Sequence, residues 1–338
     1  MKGNQSSFSS NITAWYKSNG REALPWRKNI TPYRVWISEI MLQQTQVKTV
    51  IPFFNIFIKK YPNLKSLSNA SEENILALWT GLGFYRRAKN IYKTKELIKN
   101  DFNNIFPKKF DEIISLPGIG KSTAGAIMSI AYKKPYPILD ANVKRVISRY
   151  KMVENNSSAS SIKALWNLSK DLTPKNNIFE YTQGIMDLGA TVCIIHGAQC
   201  DQCPLNLSCK SAFDIADPRK RIDKKIKPKK RIHFILAYSQ DHVLLFKKNE
   251  KTFWESLWTP LEIQAKKDSC LFRKRILKNE TINKKHKLSH IDLDIRVDIS
   301  KYEDTFNLKT NLEYRWINKA DIDMFGMPKP IKSIIQTL

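Results

Sequence analysis

The sequence predicts two domains, an all-helical first domain followed by a smaller α/β domain, and three observations support this fold class. The chain has 338 residues, and a typical domain of roughly 150 residues makes two domains the simplest division. Apolar residues recur at helical spacing before residue 219 and alternate with polar residues after residue 231. A strongly basic segment, residues 219–231, separates the two patterns, so we expect domains at residues 1–218 and 232–338 joined by this linker.

In the first domain, the clearest helix is predicted to begin at Thr31 and Pro32. Thr31 suits the N-cap, and Pro32 suits the first helical position, where its missing N–H is harmless. The following apolar residues cover every face of a helix, which therefore should be buried. These residues are Val35, Trp36, Ile37, Ile40, Met41, Leu42 and Val47.

A second helix is predicted after Asp140, whose side chain could cap it. Apolar residues follow at the spacing of an amphipathic helix, namely Val143, Val146, Ile147 and Tyr150. In the second domain, Leu293, Ile295, Val297 and Ile299 alternate with charged residues, which predicts a half-buried strand. Residues 232–238 and 243–246 also have the composition of strands, and no internal repeat is visible in either domain.

The charge of the chain points to a polyanionic partner. Lys and Arg number 57 against 31 Asp and Glu, a net charge of +26, and nucleic acid is the commonest partner of so basic a chain. The first domain has a net charge of +13, the linker +8 and the second domain +5. A basic linker is usually a solvated tether, although it can also lie along phosphates.

The sequence shows no sign of membrane insertion or secretion. The longest apolar stretches, such as residues 51–58, fall well short of the roughly 20 residues that a membrane span needs. Residues 1–11 are rich in Ser and Asn and lack the apolar core of a secretory signal. We therefore expect a cytoplasmic protein.

Four of the five cysteines lie close together, and only Cys270 stands apart. In a cytosolic protein, such clustering indicates a metal site before disulfides. The four thiols in one short loop favour an iron–sulfur cluster, because zinc ribbons usually present two C-x2-C pairs separated by a longer insert. The clustered residues are Cys193, Cys200, Cys203 and Cys209. Cys270 has no partner and is expected to be a buried structural thiol.

A glycine-containing turn, LPGIGKSTA, spans residues 116–124. Gly118 and Gly120 allow a tight turn whose backbone N–H groups face outward at a helix N-terminus, a geometry that binds phosphate without regard to base sequence. An ordinary turn between two helices is the alternative. The preceding Leu-Pro pair and the following small residues favour a helix-hairpin-helix.

Two carboxylates are candidates for catalysis. Glu39 shares a helix face with Val35, Trp36 and Leu42, and burial would favour its protonated form and suit it to general-acid chemistry. A structural buried Glu is the alternative, although Glu is almost never fully buried without a partner or a function. Asp140 could stabilise a positive charge developing on a sugar, could only cap its helix, or could do both.

Taken in order, the Glu39 helix, the hairpin, the Asp140 helix and the four-cysteine loop resemble the helix-hairpin-helix DNA glycosylase superfamily of the endonuclease III type. The resemblance is closer still to adenine DNA glycosylases of the MutY type. Five segments carry it: residues 24–26 (LPW), 36–46 (WISEIMLQQTQ), 78–83 (LWTGLG), 137–145 (PILDANVKR) and 186–190 (MDLGA). The resemblance implies a bacterial base excision repair enzyme that removes adenine opposite 8-oxoguanine or guanine in double-stranded DNA. We expect it to act at the nucleoid and as a monomer, because flipping one base needs only one copy of the chain.

Within this superfamily, the residue after the hairpin separates two activities. The lysine that bifunctional glycosylases and AP lyases use matches Ser122, with Lys121 beside it, and a serine cannot form the Schiff base that strand scission needs. The resemblance therefore implies a monofunctional glycosylase, with Lys144 matching a lysine that the family can trap adventitiously. A bifunctional enzyme acting on damaged pyrimidines and a non-catalytic DNA-binding module are the alternatives, but loss of Glu39 or Asp140 would mark the latter.

The second domain resembles the C-terminal recognition domain of the same family, which is Nudix-like in fold. Leu288, Ser289 and His290 match the short loop that senses 8-oxoguanine, and no Glu-rich Nudix box is visible. Two positions depart from the family pattern, since Leu288 replaces a Phe and Phe84 replaces a Tyr. Leucine cannot stack on a base and Phe lacks a hydroxyl, so discrimination for 8-oxoguanine is expected to be weaker than in the family.

The resemblance also implies roles for individual residues. Gln44 and Phe84 would enter the DNA stack, Glu39 would protonate N7 of adenine, and Asp140 would stabilise the sugar cation. The four clustered cysteines would hold a [4Fe–4S] cluster. Further positions of the base-binding pocket match Arg21, Trp26, Leu42, Asn142 and Gln183.

Overall fold

The computed structural model describes residues 2–214, 227–249, 253–263, 277–289 and 291–338. Residues 219–226 of the predicted linker, Cys270 and His290 lie outside the described residues. The chain divides into two compact units. The first comprises Met1–Asn69 and Lys93–Ile222, and the second comprises Ala70–Tyr92 and Asp223–Leu338. A short stretch of the predicted first domain therefore packs with the C-terminal part of the chain.

The described part of the chain before residue 215 contains helices and no strands, as predicted. In chain order the helices are α1 (Lys2–Asn19), α2 (Pro32–Leu42), α3 (Val47–Lys60), α4 (Leu64–Leu67), α5 (Glu72–Leu78), α6 (Arg86–Asp101), α7 (Phe110–Ile114), α8 (Lys121–Ile130), α9 (Ala141–Lys151), α10 (Ala159–Leu172) and α11 (Ile178–Thr191), with α12 (Lys329–Ile335) near the C-terminus. Within the described ranges, none of them is both long and apolar enough to cross a lipid bilayer.

Helix α2 begins as predicted but is shorter than the apolar pattern suggests. The Thr31 hydroxyl accepts a hydrogen bond from the Arg34 N–H at 3.2 Å, and Pro32 occupies the first turn. The prediction that the helix continues to Val47 is wrong. Gln44 has a positive φ of 56°, and Val47 is instead the first residue of α3. The polar residues 43–46 provide no apolar side chain to bury, so packing does not stabilise the helix through them.

Close packing of α8, α9 and α11 fixes where Asp140 lies. Asp140 caps α9, since its Oδ1 accepts a hydrogen bond from the Val143 N–H at 2.8 Å. A Cβ at Gly125 in α8 would lie 2.4 Å from the Pro137 carbonyl oxygen, and one at Gly189 in α11 would lie 2.7 Å from Asn142 Cβ. Glycine at these two positions therefore allows the segments on either side of Asp140 to approach closely.

The second unit contains a mixed sheet. Its strands are β1 (Lys229–Tyr238), β2 (His242–Lys247), β3 (Trp258–Thr259), β4 (Leu261–Glu262), β5 (Lys278–Lys287), β6 (Asp292–Lys301) and β7 (Tyr314–Asn318). The strand order is β3-β2-β1-β6-β5, with β4 paired to β1 and β7 paired to β2. β1 and β6 are parallel, and the other described pairs are antiparallel.

The predicted strands are confirmed. Residues 232–238 lie in β1 and residues 243–246 in β2. In β6 the alternating residues Leu293, Ile295, Val297 and Ile299 are all buried, whereas Arg296 on the opposite face is exposed. The α/β character predicted for the C-terminal part follows from this sheet together with α12.

Candidate active site

A cavity of about 310 Å³ in the first unit brings together most of the predicted site. Helix α2, the start of α8, the start of α9 and one face of α11 supply its walls, together with the segment around Trp26. The predicted residues that line it are Arg21, Trp26, Glu39, Leu42, Ser122, Asp140, Asn142 and Gln183. These residues come from widely separated parts of the sequence, so the fold has assembled one chemically mixed site.

The acidity of Glu39 is strongly altered in this cavity. Its side chain faces the cavity beside Ser38 and Leu42, and the surrounding protein raises its pKa to about 8. Burial is the main cause, the negative charge of Asp140 adds to it, and the positive charge of Arg27 acts in the opposite direction. Glu39 can therefore hold a proton near neutral pH, as a general acid must.

Asp140 differs from Glu39 in having donors that stabilise its charged form. Burial raises its pKa above the usual value, but hydrogen bonds from the backbone N–H groups of Val143 and Asn142 and the charge of Arg145 act against burial. Arg145 is fixed by the Cys193 carbonyl at 2.7 Å and by the Asn142 side-chain oxygen at 2.9 Å. Because the negative charge of Asp140 raises the pKa of Glu39, ionisation of Asp140 favours the protonated form of Glu39.

A buried ion-pair cluster forms one wall of the site. Asp187 of α11 is completely buried and binds two guanidinium groups, Arg21 Nε at 2.7 Å and Arg27 Nη1 at 2.6 Å. Burial alone would raise the pKa of Asp187, but the hydrogen bonds and charges of Arg27 and Arg21 outweigh it and hold the pKa below its usual value. This cluster places Arg27 where its charge acts on Glu39.

Trp26, Leu42 and Gln183 give the cavity its apolar and amide surfaces. The Trp26 ring packs edge-on against Phe54, with ring centroids 5.5 Å apart, and is buried like Gln183. Flat apolar walls with a few polar groups suit a planar heterocyclic ligand.

Ser122 lines the cavity at the start of α8, and its hydroxyl accepts a hydrogen bond from the Leu139 N–H at 3.0 Å. The neighbouring lysines point elsewhere. Lys121 Nζ lies 4.3 Å from the centre of the Trp166 ring, and Lys144 Nζ donates to the Asn156 carbonyl at 3.0 Å. None of the described residues that line the cavity is a lysine.

The hairpin joins α7 to α8, as predicted, but its two glycines differ. Gly118 has a positive φ of 80°, a conformation that favours glycine, whereas Gly120 is the extended N-cap of α8. A Cβ at Gly120 would meet no atom within 4 Å, so a molecule from outside can approach this backbone closely. The Gly118 carbonyl accepts a hydrogen bond from the Gln43 side chain at 3.3 Å, which ties the hairpin to the end of α2.

Gln44 does not line the cavity, although its neighbours Gln43 and Gln46 do. It is exposed in the left-handed turn between α2 and α3. The expected intercalation of Gln44 into DNA therefore stays a prediction. Its side chain is exposed, and its backbone is sharply turned.

The second unit contains Phe84 and the predicted recognition loop. Phe84 has a φ of 51° and is 41% exposed, in the turn between α5 and α6. Leu288 and Ser289 lie in the turn between β5 and β6, where the Leu288 N–H donates to Ile291 and its carbonyl accepts from Lys227. His290 lies outside the described residues, so its placement stays a prediction.

The four clustered cysteines line one small cavity in the first unit. All four are free thiols, in a loop with short 3₁₀ turns at Cys200–Gln202 and Asn206–Ser208. The Arg149 guanidinium approaches Cys193 Sγ at 3.4 Å, and the Phe213 N–H approaches Cys200 Sγ at the same distance. Burial is the main reason that the pKa of Cys203 is raised to about 11. Within the described ranges, no three His, Cys, Asp or Glu side chains are placed to hold a single metal ion.

Sequence reasoning missed Arg27 and Asp187 as parts of the site. Asp187 lies in the MDLGA segment, an acidic residue within an apolar stretch of α11. Like Glu39, Asp187 could have been singled out from the sequence, because a buried carboxylate needs a partner. Arg27 directly follows Trp26, but nothing local indicates that its partner is 160 residues away.

Comparisons with known proteins identify the class. Residues 37–170 match the HhH-GPD superfamily of base excision DNA repair proteins, and residues 232–337 match the NUDIX domain family. Among solved structures, a thermostable thymine-DNA glycosylase is 27% identical, with a TM-score of 0.58 over 63% of this chain and 99% of that one. Endonuclease III in a trapped covalent complex with DNA shares the fold, at 21% identity and a TM-score of 0.53 over 62% of this chain and 97% of that one. The first unit thus has the fold of a helix-hairpin-helix DNA glycosylase.

Relatives with assigned functions narrow this class. The adenine DNA glycosylase of Buchnera aphidicola from Acyrthosiphon pisum is 40% identical over 97% of this chain and 97% of that protein. The human adenine DNA glycosylase is 35% identical over 60% of this chain and 39% of its own length. The chain belongs to the adenine DNA glycosylase family.

Proposed function

We propose that this protein is a monofunctional glycosylase that hydrolyses the N-glycosidic bond of adenine opposite 8-oxoguanine or guanine in duplex DNA. The observation that carries the proposal is the pair of carboxyl groups in one cavity, Glu39 with a pKa raised to about 8 and Asp140 with donors to its charged form. Protonating a leaving base and stabilising a sugar cation require one carboxyl group in each state. Family membership supports adenine as the base.

The substrate adenine must leave the helical stack to reach these groups. Extrusion costs a few kcal/mol, and less at a mismatch than at a paired base. The exposed side chains of Gln44 and Phe84 are available to fill the gap that the base leaves. The extruded base would enter between Trp26 and Leu42, where Arg21, Asn142 and Gln183 supply polar contacts.

Bond cleavage then follows from the protonation states. Glu39 donates its proton to N7, and the C1′–N9 bond breaks with its electron pair leaving on adenine, which departs as a neutral molecule. The negative charge of Asp140 stabilises the resulting oxocarbenium-like sugar. Water adds its hydroxide to C1′, and its proton returns to Glu39, which restores the starting state.

Among the described residues that line the cavity there is no lysine, which supports a monofunctional reaction. Strand scission by a lyase requires a lysine to form a Schiff base with C1′. Ser122 occupies the matching position, and Lys121 and Lys144 are held by Trp166 and Asn156. The bifunctional alternative is not favoured.

Double-stranded DNA would be held by the hairpin and read by the second domain. The open backbone at Gly120 and the N-terminus of α8 suit a phosphate group. Ser289 and His290 are proposed to contact the base opposite adenine.

One extruded base needs one active site, so we propose a monomer, acting on DNA in the cytoplasm. We retain domains at residues 1–218 and 232–338, with residues 219–231 as the linker that spans the duplex.

We also propose that the four clustered cysteines hold a [4Fe–4S] cluster. They line one cavity as free thiols, and a four-iron cluster holds its ligands farther apart than a single ion does. The two N–H groups directed at Cys193 and Cys200 would stabilise thiolate charge. When bound, the cluster would cross-link the loop that packs on Arg145 and Arg149.

Iron content tests the cluster directly. Protein purified without oxygen is expected to be brown, with about four iron atoms per chain. Cys203→Ser should lower the iron content, while Cys270→Ser should leave it unchanged. One zinc and no iron in the purified protein would contradict the assignment.

A panel of duplexes tests the function. The purified protein is incubated with adenine opposite 8-oxoguanine, adenine opposite guanine, adenine opposite thymine, or an oxidised pyrimidine, each assayed with and without alkali. Adenine release from the first two duplexes, with strand breaks only after alkali, is the expected result. Strand breaks without alkali at oxidised pyrimidines would favour the bifunctional alternative, and binding without base release would favour a non-catalytic DNA-binding module.

A further inference from the structure

The turn that carries Phe84 is held in an unusual conformation within the second unit. Gly81 and Gly83 have φ values of 101° and 77°, and Phe84 follows with 51°. An aromatic residue rarely adopts a positive φ, so this backbone depends on outside contacts to persist. We call residues 80–85 the wedge turn.

Two side chains that flank the turn hold its centre. The Trp79 indole and the Arg87 guanidinium both donate to the Gly83 carbonyl at 3.0 Å. The Arg87 guanidinium lies 5.3 Å from the centre of the Trp79 ring and 5.3 Å from that of Phe84. Arg87 therefore supports Phe84, and the two ends of the turn are also bonded to a distant part of the chain.

The backbone of Met327 contacts both ends of the wedge turn. Its N–H donates to the Thr80 hydroxyl at 3.3 Å, and its carbonyl accepts from the Tyr85 hydroxyl at 3.0 Å. The Tyr85 oxygen also accepts from the Gly81 N–H at 3.4 Å. One residue of the C-terminal segment thus joins the first and last residues of the turn.

Met327 is itself held in place. Its side chain is completely buried, and a Cβ on the preceding Gly326 would lie 2.6 Å from Leu76 Cβ in α5. The Gly326 carbonyl accepts from the Trp258 N–H at 2.9 Å, and the Trp258 indole donates to the Glu73 carboxylate. The support for the turn therefore continues into strand β3.

We infer that the C-terminal domain positions the DNA wedge, through the Met327 backbone and its bonds to Thr80 and Tyr85. This gives the C-terminal domain a role in extruding adenine that is separate from contact with the opposite base. Thr80 and Tyr85 are positioning residues, since they act through Phe84. The inference rests on the proposed function of Phe84 as a DNA wedge. It adds that the C-terminal segment at Met327 holds Phe84 in position.

The test uses full-length Tyr85→Phe, which keeps the ring and removes the bond to Met327. The probe is a duplex with 2-aminopurine beside the adenine opposite 8-oxoguanine. Stopped-flow fluorescence measures the rate of extrusion, and chemical quenching of the reaction at set times measures the rate of adenine release. Loss of one hydrogen bond that holds the wedge should slow the extrusion phase about three- to tenfold. Thr80→Val should act in the same direction, and Thr80→Ser, which keeps the hydroxyl, should restore the wild-type rate.

Two controls separate positioning from general stability. Tyr132→Phe removes a comparable hydroxyl, which donates to the Pro107 carbonyl at 2.9 Å in the first unit, and it should leave extrusion unchanged. In a Phe84→Ala background, Tyr85→Phe should add nothing, because residues that act through one side chain are not additive. Equal effects of Tyr85→Phe with and without Phe84, or no effect at all, would overturn the inference. If the wild-type protein releases no adenine, the proposed function fails instead.

Discussion

Glu39 and Asp140 carry the same chemical group, and their surroundings prepare them for opposite tasks. Burial raises the pKa of both groups, but Asp140 lies at a helix N-terminus where backbone N–H groups donate to it. Arg27, held by the buried Asp187, limits how far the pKa of Glu39 can rise. The proposed division between acid and anion therefore rests on positions that the fold fixes before any DNA binds.

The pKa of Glu39 predicts the pH dependence of excision. The reactive form is protonated, so the rate should be close to its maximum below about pH 8. Above that pH it should fall, approaching tenfold per pH unit, because a deprotonated Glu39 has no proton to give. Single-turnover excision at saturating enzyme, measured from pH 6 to about pH 9.5, checks this. A rate that stays constant or rises over this range would contradict the assignment.

At the scale of single elements, local patterns predicted the starts of helices better than their ends. The caps at Thr31 and Asp140 are one-residue signals whose hydrogen bonds close within three residues. The end of α2 depends on whether the polar residues 43–46 gain any packing, which periodicity does not reveal. The hairpin was predicted from its glycines, although only Gly118 uses the backbone freedom of glycine.

The start of α8 offers a test of how the family separates its two activities. Ser122→Lys would place an amine in the cavity that Asp140 also lines. We expect strand breaks without alkali in this variant, together with a covalent protein–DNA adduct after borohydride reduction. Ser122→Ala is the matched control and should stay alkali-dependent. If Ser122→Lys gives neither breaks nor adduct, the residue at this position does not decide the activity.

At the scale of the whole molecule, the sequence reveals the net charge but not the contacts between distant residues. The net charge of +26 is a plain count and predicts a nucleic-acid partner. The bonds between Asp187 and Arg27 and between Tyr85 and Met327 join residues 160 and 242 positions apart. No local pattern carries such information, so the ion-pair cluster and the support of the wedge turn required the structure.

The distribution of charge predicts a steep dependence of DNA binding on salt. Each phosphate neutralised by Lys or Arg releases counterions, and six contacts correspond to a loss of roughly a thousandfold in affinity between about 50 and 200 mM salt. Titration of a fluorescent duplex carrying an uncleavable adenine analogue, across this salt range, measures the slope. Less than about a tenfold change would show that the basic residues of the chain contribute little to the interface.

Glu39 is proposed to supply the proton for adenine release, and Glu39→Gln removes that proton. The amide keeps the size of the side chain and cannot donate an acidic proton. Two quantities are measured, the single-turnover rate of adenine release opposite 8-oxoguanine and the affinity for the duplex. Ser38→Ala, which changes another residue lining the cavity, is the control. We predict a loss of release of at least about a hundredfold with affinity nearly unchanged. Release at the wild-type rate by Glu39→Gln would show that Glu39 is not the proton donor.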